Sequence, residues 1–178
     1  MTTKAAEPSN PSGGSRPARL VLGVDPGTAR LGYAVIRAEG SALTLVRGGV
    51  ITTVAGEKPH QRLRAIYRDL MSIIAVCEPA EMAVEELFFA KNATTAIGVG
   101  QARGVALLAA AEAGLAVSEY KPMQIKQAIH GYGLATKAQV GEMVRVLLRL
   151  PAALTPDDAS DAAAIAICHI HSTHHLSL

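Results

Sequence analysis

The stretch "VLGVDPGTARLGYAVI", residues 21–36, is an apolar run that stops at Asp25, turns through Pro26 and Gly27, and becomes apolar again from Leu31. A fully apolar segment this short, bounded by a Pro-Gly turn, reads as a buried strand, and the second segment follows too closely for anything but an antiparallel hairpin. The first strand is then "RLVLGVD", and Asp25 stands at its C-terminal end.

Outward from the hairpin, "ALTLVRGGVIT" (42–52) reads as a third strand. Leu63, Ile66, Leu70, Ile73 and Cys77 recur at three and four, one face of an amphipathic helix between Lys58 and Glu78 that Pro79 ends. "EMAVEEL" (81–87) is a short strand finishing at carboxylates, followed by the loop "FFAKNATT" and an Ala/Gly-rich helix to about Ala113. "LAVSEY" (115–120) is a fifth strand. A short helix at 123–130, another from Lys137 to Leu150 and a last one after Pro156 complete the pattern. Three strands in a meander, then alternating strand and helix, predict an α/β domain with a five-stranded mixed sheet and helices on both faces.

The chain's 178 residues, 49% of them hydrophobic, suit one core and one domain. Residues 1–18, rich in Pro, Gly, Ser and Asn, predict a disordered tail, with the domain over 19–171 and a short C-terminal tail over 172–178. No apolar run reaches the roughly 18 residues of a membrane span, and the N-terminus lacks an apolar signal region, so a cytoplasmic location is expected. Cys77 and Cys168 lie in apolar helical patterns with no CxxC or Cys/His pairing, which reads as two buried reduced thiols. The histidines 169, 171, 174 and 175 are spaced like a metal tract, but they stand at the chain end without further ligands, and no metal site is expected there.

Four acids carry the chemistry: Asp25 and Glu85 at strand ends, and Asp158 and Asp161, three apart on one face of the last helix. If the first and fourth strands are neighbours, all four converge. Close carboxylates raise one another's pKa unless a cation joins them, and oxygen ligands suit Mg²⁺ or Mn²⁺; a pair of such ions is the equipment of a nuclease. Each acid also has a structural explanation. Asp25 could serve the Pro-Gly turn, Asp157 and Asp158 could favour a helix N-terminus, and Glu85 or Glu86 could be a solvated strand end. Asp161 resists this, because it interrupts an otherwise apolar helix.

A net charge of +2 says little about partners, but residues 88–150 hold seven Lys or Arg against three acids, which fits either a phosphate-binding face or a solvated one. Phe88 and Phe89 are the only phenylalanines and fall in the predicted loop, as a base-stacking wedge or as buried anchors. Lys126 and Lys137 fit phosphate contact and ordinary solvation equally well.

The stretches "LGVDPGTARLGYAVI", "AVEELFFAKNATTAIGVGQARGVAL", "KQAIHGYGLATKAQVGEMVRVLL" and "DDASDAAAIAICH" together resemble the RuvC family of Holliday junction resolvases, of the ribonuclease H-like superfamily, from about Leu20 to His171. The resemblance implies a ribonuclease H-like fold and symmetric, metal-dependent cutting of four-way DNA junctions in recombination and repair. It implies Asp25, Glu85, Asp158 and Asp161 as catalytic metal ligands, Mg²⁺ as the cofactor with two ions per site and Mn²⁺ as a substitute, and Phe88 as the stacking aromatic. Lys91, Lys126 and Lys137 become DNA-contacting lysines. The implied partners are a four-way junction, a second copy of the chain, and a RuvA–RuvB branch-migration complex. Asp157 is an additional acid beside the D-x-x-D pair, which leaves the ligand register at that helix start open. The same hairpin also resembles the phosphate-holding hairpin of actin-like ATPases and sugar kinases, but their two lobes do not fit this length. A junction-binding module without activity would not need the acids, and ribonuclease H shares them; the loop from Phe88 and the helix after it favour RuvC.

Overall fold

The computed structural model describes residues 18–86 and 93–174. Its elements are β1 (Arg19–Asp25), β2 (Arg30–Glu39), β3 (Ala42–Thr52), α1 (Pro59–Cys77), β4 (Glu81–Glu85), α2 (Ala93–Glu112), β5 (Ala116–Tyr120), α3 (Pro122–His130), α4 (Lys137–Leu147) and α5 (Asp157–His174). The five strands form one sheet in the order β3-β2-β1-β4-β5. β2 runs antiparallel to both β1 and β3, whereas β1, β4 and β5 are mutually parallel. The expected mixed sheet with helices on both faces is what the chain forms.

Strand alternation assigns the two faces. Leu22 and Val24 of β1, with Met82 of β4, pack under α1 and α2, against Ile66, Leu70 and Ile73 and the small residues Ala102, Ala106, Ala109 and Ala110. The small residues of α2 therefore serve close packing on its own sheet. Val21 and Ala83 face the other way, into a second core built from α3, α4 and α5. Asp25 and Glu85 share the parity of Val21 and Ala83, so both belong to the α5 face.

Two glycines let α5 lie almost on the sheet. A Cβ on Gly23 would sit 2.0 Å from the Ala162 carbonyl oxygen, and one on Gly32 would sit 2.0 Å from that of Asp158. Only hydrogen fits at either contact. Five alanines of α5 (159, 162, 163, 164 and 166) are buried on its side. Burying them brings the helix backbone closer to the strands than any longer side chain would permit.

The structure departs from the sequence expectations at element ends. α4 stops at Leu147 rather than Leu150, because Arg149 takes a left-handed φ of 53° and the Leu150 carbonyl accepts a hydrogen bond from Arg145 Nη1 at 3.0 Å. α5 starts at Asp157, directly after Pro156 as expected. The tail expected from Ser172 is instead helical through His174, held where Arg19 Nη2 donates to Thr173 Oγ1 at 3.0 Å. His169 is a buried structural residue: its Nε2 lies 2.7 Å from Glu81 Oε2 and its Nδ1 2.8 Å from the Tyr120 hydroxyl. Arg19 grips the same Glu81 through two hydrogen bonds of 2.9 and 2.7 Å, tying β1, β4 and α5 together at the end of the sheet away from Asp25. Cys168 is buried and Cys77 half-buried, both as free thiols.

Candidate active site

β1 and β4 are parallel neighbours with Val24 in register with Val84, so Asp25 and Glu85 finish side by side on the α5 face. α5 crosses both strands antiparallel to β1. Its backbone touches Gly32 at Asp158 and Gly23 at Ala162, which sets its first turns over the C-terminal ends of β1 and β4. Asp158 and Asp161 thereby enter the same cleft as the two strand acids. Asp157 does not: its side chain is 76% exposed, against 21% for Asp158 and 33% for Asp161. At the start of α5 the less exposed acids are thus Asp158 and Asp161, with Asp157 on the outer side.

The acids strain one another electrostatically. Burial pushes the Asp25 carboxyl up to about 7, with further upward pressure from Asp161, Glu85 and Asp158 and partial relief from Lys137. Glu85 is raised by burial and by Asp161, with Lys126 pulling the other way. Without a cation, Asp25 is therefore half-protonated near neutral pH. Such a group is folded into surroundings that disfavour its charge, and a bound cation would relieve them.

Two protein cations already lean on the cluster. Lys137 Nζ lies 2.7 Å from Asp161 Oδ2 and 3.8 Å from Asp157 Oδ2, and its own pKa is raised chiefly by the hydrogen bond to Asp161. Thr136 caps α4 by accepting from the Gln139 amide, which fixes the helix start that projects Lys137. Arg30 Nε lies 3.3 Å from Asp158 Oδ2, close enough for attraction but not aimed as a hydrogen bond, so that buried oxygen has no hydrogen-bond partner. Arg30 escaped the sequence reading; its position directly after the Asp25 turn was the available signal. Lys126 lines the cleft together with Glu85, Lys137 and Asp161. From the far side, Arg103 of α2 pairs with Glu119 and donates to the Glu85 carbonyl at 3.4 Å, bracing the end of β4.

The donor set fits a hard divalent ion: carboxylate oxygens only, one of them buried and unbonded, on elements that converge. Among the described residues, no three His, Cys, Asp or Glu side chains are already drawn together as a closed ligand group. Lys137 and Arg30 partly neutralise Asp161 and Asp158. Phe88 and Lys91, the remaining expected site residues, lie outside the described residues.

The strand order and the acidic cleft at the end of β1 and β4 define a ribonuclease H-like domain. A family model described as "Crossover junction endodeoxyribonuclease RuvC" matches residues 21–169. The RuvC of Heliobacterium modesticaldum is 55% identical over 153 residues, covering 86% of this chain and 94% of its own. That of Rubrobacter xylanophilus is 54% identical over 164 residues, covering 92% and 91%. A solved structure of Thermus thermophilus RuvC in complex with Holliday junction substrate is 38% identical and superimposes with a TM-score of 0.85 over 89% of this chain and 97% of its own. The chain belongs to the RuvC family of crossover junction endodeoxyribonucleases. Its reaction is therefore hydrolysis of phosphodiester bonds within junction DNA, the chemistry of a metal-dependent nuclease.

Proposed function

We propose that this chain resolves four-way DNA junctions in the cytoplasm as a homodimer, each copy cutting one strand with Mg²⁺ held by Asp25, Glu85, Asp158 and Asp161, and with Mn²⁺ as a working substitute. The observation that carries this assignment is the convergence of four carboxylates from β1, β4 and α5 on one cleft, where Asp25 is pushed up to about 7. Two divalent ions, when bound there, would supply an activated water and neutralise charge on the leaving oxygen. The protein's own part is to hold the acids on rigid elements, with α5 seated on Gly23 and Gly32 and β4 braced by Arg103. Lys126 and Lys137 hold the scissile phosphate beside the acids and offset the charge that gathers on it during cleavage. Arg30 keeps Asp158 turned inward. Phe88 stacks on a base at the junction centre and Lys91 contacts a phosphate, as the family resemblance implies. Two copies face two symmetric strands of the junction, and a RuvA–RuvB branch-migration complex is the partner that would deliver it.

Asp25→Asn and Glu85→Gln test the assignment. Each should abolish cleavage while junction affinity stays within a few-fold, because removing a metal ligand leaves the lysine contacts to phosphate in place. Normal turnover by either variant would remove that residue from the site.

A further inference from the structure

The turn between α3 and α4 exposes apolar surface that no other part of the described chain covers. Tyr132 is 59% exposed and Leu134 73%, and Met123 of α3 is 63% exposed beside them. These are not loosely held residues. Ile129 and Ala135, on either side of the turn, are buried to 4% and 2%. The Ala135 amide donates to the Tyr132 carbonyl at 3.2 Å. A Cβ on Gly133 would meet Met123 Cγ at 2.8 Å, so the turn folds back against the first turn of α3, the end that carries the chain to the acidic cleft.

The charge around this patch identifies its partner. From Lys121 to Lys137 the chain holds three lysines and a histidine and not one acid. Two of those lysines, 126 and 137, line the cleft beside Glu85 and Asp161. An aromatic ring and an aliphatic side chain held outward in an acid-free, lysine-bearing segment match a single nucleic-acid strand: the cations meet phosphates, and the ring offers a face to a base. A protein partner of ordinary mixed charge would find no acidic groups there to pair with its own basic ones.

We infer that Tyr132, backed by Met123 and Leu134, is a stacking platform for an unpaired base next to the scissile phosphate, a contact separate from that expected of Phe88. The inference rests on the junction-nuclease assignment, and its test keeps the two apart. The cleavage-silent full chain carrying Asp25→Asn is titrated with a four-way junction bearing 2-aminopurine at each base flanking the cut phosphate in turn. At one of these positions, binding should change the fluorescence. Adding Tyr132→Ala should remove that change and weaken junction affinity about tenfold, within the range of lost base–aromatic stacking. Tyr132→Phe should restore both to within about twofold, since the ring rather than the hydroxyl stacks. Affinity for plain duplex should stay unchanged throughout. If Tyr132→Ala binds the junction as its parent does, with the same fluorescence, the platform does not exist. If it changes only self-association in sedimentation, the patch is a protein contact and the inference is equally overturned. Failure of the Asp25→Asn parent to bind junctions would instead sink the assignment beneath it.

Discussion

Replacing Gly32 with alanine tests how α5 delivers its acids. The added Cβ would lie 2.0 Å from the Asp158 carbonyl oxygen, 2.6 Å from the carbonyl carbon and 3.1 Å from Asp158 Cβ. The obstacle is helix backbone, which cannot swing aside as a flexible side chain would. Restoring ordinary contact at 3.4 Å requires α5 and β2 to separate by about 1.4 Å at the residue that carries a site carboxylate. Overpacking of this kind costs roughly 1–3 kcal/mol, which lowers the melting temperature of a domain this size by about 4–8 °C for ~2 kcal/mol. A displacement near 1 Å at reacting groups costs on the order of 100-fold in rate. Gly32→Ala should therefore cut single-turnover junction cleavage by about two orders of magnitude while junction affinity changes little. Gly104→Ala, in the middle of α2 with no heavy atom of the described residues within 4 Å of the added Cβ, is the matched control. It should leave cleavage intact and stabilise the helix by about 0.5–1 kcal/mol. Cleavage by Gly32→Ala within threefold of the parent would refute the view that backbone contact between α5 and β2 sets the site.

Asp25 rises from its ordinary 3.8 to about 7 on folding, so between those values the folded chain holds a proton that the unfolded chain has lost, and stability must fall as pH rises through that window. Thermal melts of metal-free protein should show this decline; Asp25→Asn should flatten it, and an unchanged slope would mean Asp25 is not strained. At the start of α5, Asp157→Asn should keep near-normal cleavage, whereas Asp158→Asn and Asp161→Asn should lose orders of magnitude in turnover with melting unchanged or raised, since repulsion is relieved. Swapped kinetics for Asp157 and Asp158 would place the inner face one residue away. Thr53, 8% exposed, donates to the Thr28 carbonyl at 2.7 Å and accepts from Arg62 Nε at 2.7 Å, holding the turn that follows Asp25. Thr53→Val should cost about 1–3 kcal/mol by leaving those groups unbonded. It should also slow cleavage at saturating DNA; a melting loss with unaltered turnover would confine these hydrogen bonds to a role in folding.

The parts of this fold legible in sequence were those with short-range causes. Short apolar strands, the Pro-Gly turn after Asp25 and the interruption of an apolar helix by Asp161 each carry their signal within a few residues. The convergence of Asp25 and Glu85 followed once β1 and β4 were taken as neighbours, which the register of Val24 with Val84 bears out. What escaped depends on contacts distant in the chain. Arg30 meets Asp158 only because α5 returns over β2, and the helix end at His174 depends on Arg19, 154 residues before its partner Thr173. The structural role of His169 was hidden for the same reason: its partners Glu81 and Tyr120 lie on two different strands.

If this acidic cleft cuts four-way junctions with a bound divalent ion, its dependence on substrate and cofactor is directly measurable. The direct measurement incubates the chain with Mg²⁺ and, separately, a four-way junction, the matching duplex and an RNA–DNA hybrid, mapping every cut at nucleotide resolution, with EDTA and the Glu85→Gln variant alongside. Paired, symmetric nicks are expected in the junction alone, none with EDTA, and none by Glu85→Gln although it still binds. Equal cutting of the hybrid, cutting in EDTA, or full activity of Glu85→Gln would contradict that expectation.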